Sequence, residues 1–369
     1  MIGLTSTEEP RWVGGVVPPP ELLNATGTQI MELECREQPA CLRQLVDAYQ
    51  SNALIRAELK TFRERAALPG AVLFAGMGAS YCSAIAGSIL LQSHGRLSFT
   101  VDAGEWLQYA RPMDKDIALS MLLTTSGESA ELVELMRTGE GQLPGLLCNN
   151  SASTCWKLGR NNLPILAGPE YGIATKTYTN ATAAAIIMAS EMLGIPWGKD
   201  AEVAAESFAA DLDPVFALRA DLESFCRGAA NIEIVGRGAG YGGAIMGALS
   251  IREMSGFRAA AHTGAGFKHG PIFDVDGSHV SIIFALGRAA ALANRLAEDC
   301  NRRGGKVVLI STAEEQKPTA LLFPVRIGEV PEPWEGITSL LVPQALTLAM
   351  VERIGCRLPP RFQYGTMEQ

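Results

Sequence analysis

The chain contains the same sequence pattern twice, with the second copy 160 residues after the first. AVLFAGMGASY begins at Ala71, and NIEIVGRGAGY begins at Asn231. In each copy an apolar, strand-like run ends in Gly-x-Gly, which aligns Gly76 with Gly236, and a helix rich in small residues follows. Self-similarity at a fixed offset is typical of a duplicated structural unit. The chain is therefore expected to fold as two related halves.

Each copy continues with further apolar strands that alternate with charged helices. The strands read IALSMLLTTS and LPGLLCNN in the first copy, and HVSIIFALG and KVVLIST in the second. Strands that alternate with helices favour right-handed crossovers and a parallel sheet covered on both faces. The predicted fold class is α/β, with two tandem domains that are each a parallel sheet flanked by helices in three αβα layers.

The pattern of predicted strands and helices divides the chain into five regions. Residues 1–65 are an N-terminal extension and helices, with residues 1–28 irregular and the first helix ending at Pro39. The first domain is 66–200, a linking helix is 201–229, the second domain is 230–345, and 346–369 is a C-terminal helix end and tail.

Composition excludes several classes of protein. A net charge of −8 disfavours a nucleic-acid binder, because wrapping a phosphodiester backbone requires an excess of Lys and Arg. No secretory signal is visible, and no uninterrupted run reaches the roughly 18 apolar residues of a spanning helix. None of the eight cysteines forms Cys-x-x-Cys. The expectation is a cytoplasmic protein without a membrane or nucleic-acid partner.

A hydroxyl-rich turn follows the second apolar strand of the first copy. It reads Thr124-Thr125-Ser126-Gly127-Glu128-Ser129 and leads into a helix predicted over 130–137. N–H groups, hydroxyls and the positive end of the helix dipole would converge there, which suits a phosphate. Capping the helix requires only one hydroxyl, so the cluster favours ligand binding. The second copy has Ala-Leu-Gly-Arg at the equivalent place.

The Gly-x-Gly turns also raise the possibility of a dinucleotide. Both copies lack the third glycine of that fingerprint, and no acidic residue is convincingly placed after a following strand. Tight strand-to-helix turns explain the glycines equally well. An NAD(P) oxidoreductase is therefore disfavoured, and no cofactor is expected.

The second copy contains a carboxylate and an imidazole suited to proton transfer. Glu253 lies in the predicted helix after the second Gly-x-Gly, and His269 follows 16 residues later. One group could act as base and the other as acid, although a solvated glutamate and a structural loop histidine remain the alternative. A metal site is not expected, because His262 and His269 are not at a familiar ligand spacing and no cysteine is near.

These motifs together resemble the sugar isomerase (SIS) family, and in particular its double-SIS members, from roughly Met31 to the C-terminus. CREQP resembles the opening helix of that family, GMGASY its first turn, TTSGESAE its phosphate loop and GPEYGIATKTYT the segment before a later helix. The run from GRGAGY to KHGP resembles the second-domain motif.

The resemblance implies a small-molecule sugar phosphate as the ligand. By position, Glu253 would shuttle a proton between C1 and C2, and His269 would assist ring opening in the site of a neighbouring subunit. The resemblance thus implies a homodimer with a shared active site. The residues implied to bind substrate or phosphate are Ser80, Thr124, Thr125, Ser126, Ser129 and Ile173.

The chain departs from the synthase members of the family. Ser250 stands where they have a lysine, no lysine follows Lys317, and no glutaminase domain precedes the repeats. The resemblance therefore favours deglycation or deamination of a ketosamine or amino-sugar 6-phosphate over glucosamine synthesis. The alternatives are a plain aldose–ketose phosphosugar isomerase and a phosphosugar-binding module without turnover.

Overall fold

The computed structural model describes residues 19–22, 25–138, 144–313 and 317–357, and most of the predicted extension and tail lies outside these ranges. Within the described ranges, ten strands form two five-stranded parallel sheets. The first sheet contains β1 (Ala71–Gly76), β2 (Ser98–Asp102), β3 (Ile117–Thr124), β4 (Gly145–Cys148) and β5 (Asn162–Pro164). The second contains β6 (Asn231–Gly236), β7 (Ala259–Thr263), β8 (His279–Ala285), β9 (Lys306–Ser311) and β10 (Leu322–Arg326).

The two sheets have the same strand order. The first runs β2-β1-β3-β4-β5, and the second, read in the same sense, runs β7-β6-β8-β9-β10. Numbered within each half, both orders are 2-1-3-4-5. The predicted α/β class with two tandem parallel-sheet domains is confirmed, and the internal repeat is a repeat of topology as well as of sequence.

The structure adds four strands to those predicted, two in each half. β2, β5, β7 and β10 are all edge strands, whereas the predicted strands are the central ones. All residues of β1 are buried, which explains its continuous apolar run. β5 has only three residues, and most residues of β7 and β10 are only partly buried, so their sequences lack a strong apolar pattern.

The first half contains seven α-helices within the described chain. They are α1 (Gly27–Ser51), α2 (Ala53–Ala66), α3 (Ala79–Ser93), α4 (Ala103–Glu105), α5 (Ala130–Thr138), α6 (Thr154–Leu158) and α7 (Lys176–Leu193). The second half contributes α8 (Gly198–Ala217), α9 (Arg219–Cys226), α10 (Gly240–Ser255), α11 (Gly264–Lys268), α12 (Ala290–Arg302), α13 (Glu335–Thr338) and α14 (Leu341–Ile354). The predicted single linking helix is thus two helices, α8 and α9, which meet at Leu218.

The expected helix end at Pro39 is wrong, because α1 continues through that residue to Ser51. A proline inside a helix leaves the carbonyl four residues earlier without its N–H partner. Here the Nε2 of Gln38 donates to the Cys35 carbonyl at 3.0 Å and supplies the missing bond. The neighbouring side chain therefore makes the interior proline tolerable.

Helices α3 and α10 pack against each other in opposite directions. A Cβ atom at Gly242 would lie 2.5 Å from the Cys82 carbonyl oxygen, and one at Gly238 would lie 3.9 Å from Ile89. Cys82 and Gly242 are equivalent positions of the repeat. The crossing point of the two helices therefore lies on the pseudo-twofold axis that relates the halves, and Gly242 allows their backbones to approach closely.

One stretch of the described chain, Glu335–Ile354, is long and apolar enough by length and composition to cross a membrane. A search for uninterrupted apolar runs does not detect it, because polar residues are interspersed. Of its most apolar window, 83% is buried inside the protein, and α14 packs on α9 and α10. Such burial is typical of a core helix.

Candidate active site

A crevice opens at the carboxyl ends of β1 and β3. In this strand order the chain leaves β1 and β3 towards opposite sides of the sheet, and ligands of open α/β sheets bind at such a switch point. Ser80 lies half-buried in the first turn of α3, and residues 125–129 form the turn between β3 and α5. The structure thus brings the five predicted hydroxyl residues to one edge of the first sheet.

The β3–α5 turn is braced by its own hydroxyls. Thr124 Oγ1 accepts a hydrogen bond from the Gly127 N–H at 3.0 Å, and Ser126 Oγ accepts one from the Glu128 N–H at 3.2 Å. Each hydroxyl acts as an acceptor there, so its proton stays available for donation. Thr124 is only 3% exposed, whereas Ser126 and Ser129 are half-buried. The half-buried serines are therefore better placed than Thr124 to contact a ligand.

The turn is held in place by the adjoining β4–α6 connection. Gly127 has φ +68°, a conformation that favours glycine, and its carbonyl accepts from the Cys155 N–H at 3.0 Å. The Glu128 carboxylate accepts from the Thr154 N–H at 2.9 Å, at the N-terminus of α6. The loop is thus fixed from two sides before any ligand binds.

The segment before α7 carries Ile173, which is 4% exposed. Two carboxylates that sequence reasoning did not single out hold this segment. Glu34 accepts from the N–H groups of Tyr171 and Gly172, the latter at 3.3 Å. Glu170 Oε1 accepts from the Thr175 N–H at 2.8 Å, at the start of α7.

The two carboxyl groups share a water-poor environment. Burial, reinforced by the charge of Glu170, raises the pKa of Glu34 well above its usual value. Burial also raises the pKa of Glu170, although hydrogen bonds from threonines oppose the rise. Glu170 lies inside the quoted motif GPEYGIATKTYT and Glu34 directly precedes CREQP, but the two are 136 residues apart and no local pattern indicates that they lie close together.

Glu253 approaches this crevice from the other half of the chain. It lies half-buried in the last turn of α10, whose C-terminal end extends towards the N-terminal end of α3 because the two helices are antiparallel. Leu249, one turn earlier, belongs to an apolar cluster that contains Ala79 and Ala174. Burial, and to a lesser extent the charge of Glu253, raises the pKa of Cys82 to about 12.

His269 lies elsewhere in the same chain. It is exposed and directly follows α11, beyond the carboxyl end of β7. Glu253 precedes the amino end of β7, so the length of that strand, about 13 Å, separates the two side chains along the sheet. One chain therefore does not bring the predicted base and acid together, and the expected role of His269 in a neighbouring subunit's site stays a prediction.

Residues 227–351 match the family model described as SIS domain. These residues are a SIS domain. The matching strand order of the first half makes the chain a tandem pair with this fold. The resemblance stated from the sequence is thereby confirmed.

Known proteins resemble the chain over most of its length. A glutamine–fructose-6-phosphate aminotransferase (isomerizing) from Pyrococcus horikoshii is 27% identical over 85% of this chain and 53% of its own length. The C-terminal domain of glucosamine-fructose-6-phosphate aminotransferase from Francisella tularensis superposes with a TM-score of 0.77 at 18% identity, covering 89% of this chain and 97% of that one. A glucosamine-6-phosphate deaminase from Thermotoga maritima gives a TM-score of 0.67 at 16% identity, covering 90% and 96%.

The chain spans about half the length of the curated relatives it matches. Solved structures at this level of identity show the shared fold alone. A SIS domain over residues 227–351 and the tandem fold are therefore shown, whereas substrate, activity and assembly require further argument.

The crevice of the second SIS domain, at the carboxyl ends of β6 and β8, has a different chemistry. Arg288 donates to Glu332 through its backbone N–H at 2.8 Å and through its Nε at 2.7 Å. Glu335 lies beside this pair, and burial together with the charge of Glu332 raises the pKa of Glu335 to about 7. Carboxylates thus occupy the place where the first domain has its hydroxyl loop.

Two lysines in the family motifs are engaged in ion pairs. Lys176, at the start of α7, is buried and bonds to the Glu37 carboxylate. Lys268, in the second SIS domain, pairs with Asp299 at 2.8 Å. Among the described residues, no group of three or more His, Cys, Asp or Glu side chains is arranged to hold a metal ion.

Proposed function

We propose that this protein is an enzyme that moves a proton between C1 and C2 of a ketosamine or amino-sugar 6-phosphate and then releases the amine or ammonia. One observation carries the proposal. The antiparallel packing of α3 on α10 directs Glu253 of the second SIS domain towards the crevice that holds the hydroxyl loop of the first. A phosphate on that loop would bring the sugar carbons within reach of a carboxylate.

The proposed chemistry proceeds from the open-chain ketosamine. The Glu253 carboxylate removes a proton from C1 and returns it to C2, while the C2 oxygen takes up a proton from solvent and the nitrogen releases one to solvent, which converts the C1 amine and C2 ketone into a C1 imine and a C2 alcohol. Water then adds to the imine carbon, and the C1–N bond breaks. The products are an aldose 6-phosphate and the free amine.

The state of the lysines favours a substrate that already carries nitrogen. Lys176 and Lys268 are held by carboxylates, and Ser250 lies one turn before Glu253. Ser250 is buried, and its hydroxyl donates to the Met246 carbonyl at 2.9 Å. The two lysines of these motifs are therefore engaged in ion pairs rather than available as amine nucleophiles, which supports deglycation or deamination.

The separation of Glu253 from His269 supports a shared site. We propose that the protein is a C2 homodimer, because an isologous interface gives each site the same residue from the partner. His269 is exposed and follows a short helix on the edge of the second sheet, so it is free to reach a neighbouring chain. There it would transfer the proton that opens the sugar ring.

A substrate panel tests the proposed activity. The purified protein is incubated separately with fructosyl-amino-acid 6-phosphates, glucosamine 6-phosphate and fructose 6-phosphate, and released aldose phosphate and ammonia are measured. We expect turnover of a nitrogen-bearing substrate to exceed turnover of fructose 6-phosphate. Conversion of fructose 6-phosphate alone would support the plain isomerase. Saturable binding with no turnover of any compound would support a sensing module.

The hydroxyl loop provides a second test. Ser126→Ala and Ser129→Ala are each expected to weaken binding of a phosphorylated ligand by about 1–2 kcal/mol, the scale of a hydrogen bond to a charged group. Calorimetry with the phosphorylated sugar and its unphosphorylated form measures the difference. Ser278→Ala is the control, because Ser278 is an exposed residue directly before β8, at the amino end of the second sheet and not at the carboxyl ends where the crevices lie. Equal losses for both ligands would contradict a phosphate-binding role.

A further inference from the structure

Three titratable side chains that the proposed chemistry does not use lie on one face of the second sheet. Glu233 is on β6, His262 on β7 and His279 on β8. In the strand register Val235 pairs with His262 and Asn231 with His279. Alternate residues of β6 share a face, so all three side chains project to the side covered by α11.

The members of this cluster are tightly packed. His262 Nε2 lies 2.6 Å from Glu233 Oε2, and Glu233 Oε1 accepts from Asn231 Nδ2 at 3.0 Å. His279 is 2% exposed, and its Nε2 has no hydrogen-bond partner among the described residues. Burial lowers the pKa of His279 and so disfavours the charged form of its ring. The Glu233 carboxylate therefore bonds to His262 and Asn231 and leaves the His279 ring without this partner.

Phe267 connects this cluster to α11. Its side chain is fully buried, and its ring centroid lies 5.6 Å from that of His262 and 6.3 Å from that of His279. The other residues of the five-residue helix are Gly264, Ala265, Gly266 and Lys268, so Phe267 is its one large apolar anchor.

Two further contacts hold the same helix. Thr263 Oγ1 accepts from the Gly266 N–H at 3.1 Å, and Lys268 pairs with Asp299 on α12. His269 is the next residue of the chain, so its place depends on how α11 is seated. A rotation of the His262 ring would remove part of the surface on which Phe267 packs.

We propose that Glu233 and His262 are positioning residues for His269: their hydrogen bond fixes the imidazole face on which Phe267 packs, and Phe267 sets where α11 presents His269. This inference rests on the proposed function only for the role of His269 in proton transfer. The positional part concerns the folded chain alone and is measured without substrate.

The spectroscopic test uses the four histidines of the chain, His94, His262, His269 and His279. Carbon–proton imidazole spectra of the wild type are compared with those of Glu233→Leu, which removes the hydrogen bond, and Glu233→Gln, which retains an acceptor. We expect Glu233→Leu to move the His262 and His269 signals and leave that of His94 in place. Glu233→Gln should restore the His269 signal.

Two further variants serve as an alternative test and as a control for this measurement. Phe267→Leu alters the connecting side chain and is expected to move the His269 signal as well, which matters if Glu233→Leu does not fold. Ser281→Ala is the matched control, because Ser281 pairs with Glu233 in the register and its hydroxyl donates to Cys300 on α12. An unmoved His269 signal in folded Glu233→Leu or Phe267→Leu protein would overturn the proposal.

The kinetic test is a double-mutant cycle with His269→Asn. Glu233→Leu is expected to lower kcat about 10-fold with little change in KM, since misplacement of a proton-transfer group affects the chemical step. In the His269→Asn background the same substitution should have no further effect. Equal losses in both backgrounds would overturn the positioning role. Full activity of His269→Asn would instead contradict the proposed function, while a moved His269 signal would still support the positional part.

Discussion

Replacing Glu253 by glutamine is expected to lower kcat by about 10²–10⁴-fold, the usual contribution of a general base. Glutamine keeps the shape of the side chain but cannot accept the substrate proton. KM should change little, because the hydroxyl loop that would hold the phosphate is in the other half of the chain. Initial rates over a range of substrate concentration measure both constants. Glu298→Gln, an exposed position on α12, is the control.

Isotope incorporation distinguishes base catalysis from a positioning role. In deuterated water the wild type should place deuterium at C1 or C2, and Glu253→Gln should not. Near-normal turnover by the variant would remove the base assignment. Loss of binding with an intact fold would instead make Glu253 a ligand-binding residue and would favour the sensing module.

The same variant also tests the shared site. Glu253→Gln and His269→Asn proteins, each expected to have much lower activity than the wild type, are unfolded together and refolded as a mixture. Half of the randomly formed dimers are mixed, and each mixed dimer holds one site with both native side chains, so about one quarter of wild-type activity should return. No recovery, or a monomer by light scattering with full activity, would contradict a site formed by two chains.

The largest expected effect on stability is at the crossing of α3 and α10. Gly242→Val would place its first side-chain carbon 2.5 Å from the Cys82 carbonyl oxygen, so the two helices must separate. We expect the free energy of unfolding to fall by about 2–4 kcal/mol, as for severe overpacking of a core.

Thermal denaturation of the wild type and two glycine variants checks this expectation. Gly277→Val is the control, because a Cβ atom at Gly277 meets no other atom within 4 Å. The midpoint should fall clearly for Gly242→Val and much less for Gly277→Val. Similar midpoints for the two variants would show that the helices separate at little cost.

The central strands were predictable because their residues are buried on both faces. The β3 and β8 sequences are almost continuously apolar, and every residue of β8 is buried. The edge strands were not predictable, because a strand paired on one side needs fewer apolar residues. The helix through Pro39 was missed for another reason: the N–H donor that Pro39 lacks is replaced by the side-chain amide of Gln38, which no proline rule anticipates.

In the candidate site, too, residues that are contiguous in the sequence could be predicted, whereas contacts between distant parts of the chain could not. The hydroxyl turn at 124–129 is contiguous, so sequence reasoning could single it out. The role of Glu34 depends on contacts between α1 and the segment before α7, which are far apart in the chain. The 16-residue spacing between Glu253 and His269 gave no indication that a whole strand lies between them.

The carboxylates in the second crevice bear on how many ligands a chain can hold. A symmetric dimer of single domains must keep both of its crevices identical, because one gene encodes them. Once the two domains are joined in one chain, each crevice can change independently. Here Glu332 and Glu335 lie against Gly287, the repeat equivalent of Gly127 in the hydroxyl loop, and Ser93 is the repeat equivalent of Glu253. The second crevice thus has neither the hydroxyl loop nor an equivalent of Glu253, so on the proposed function the expected stoichiometry is one phosphosugar per chain.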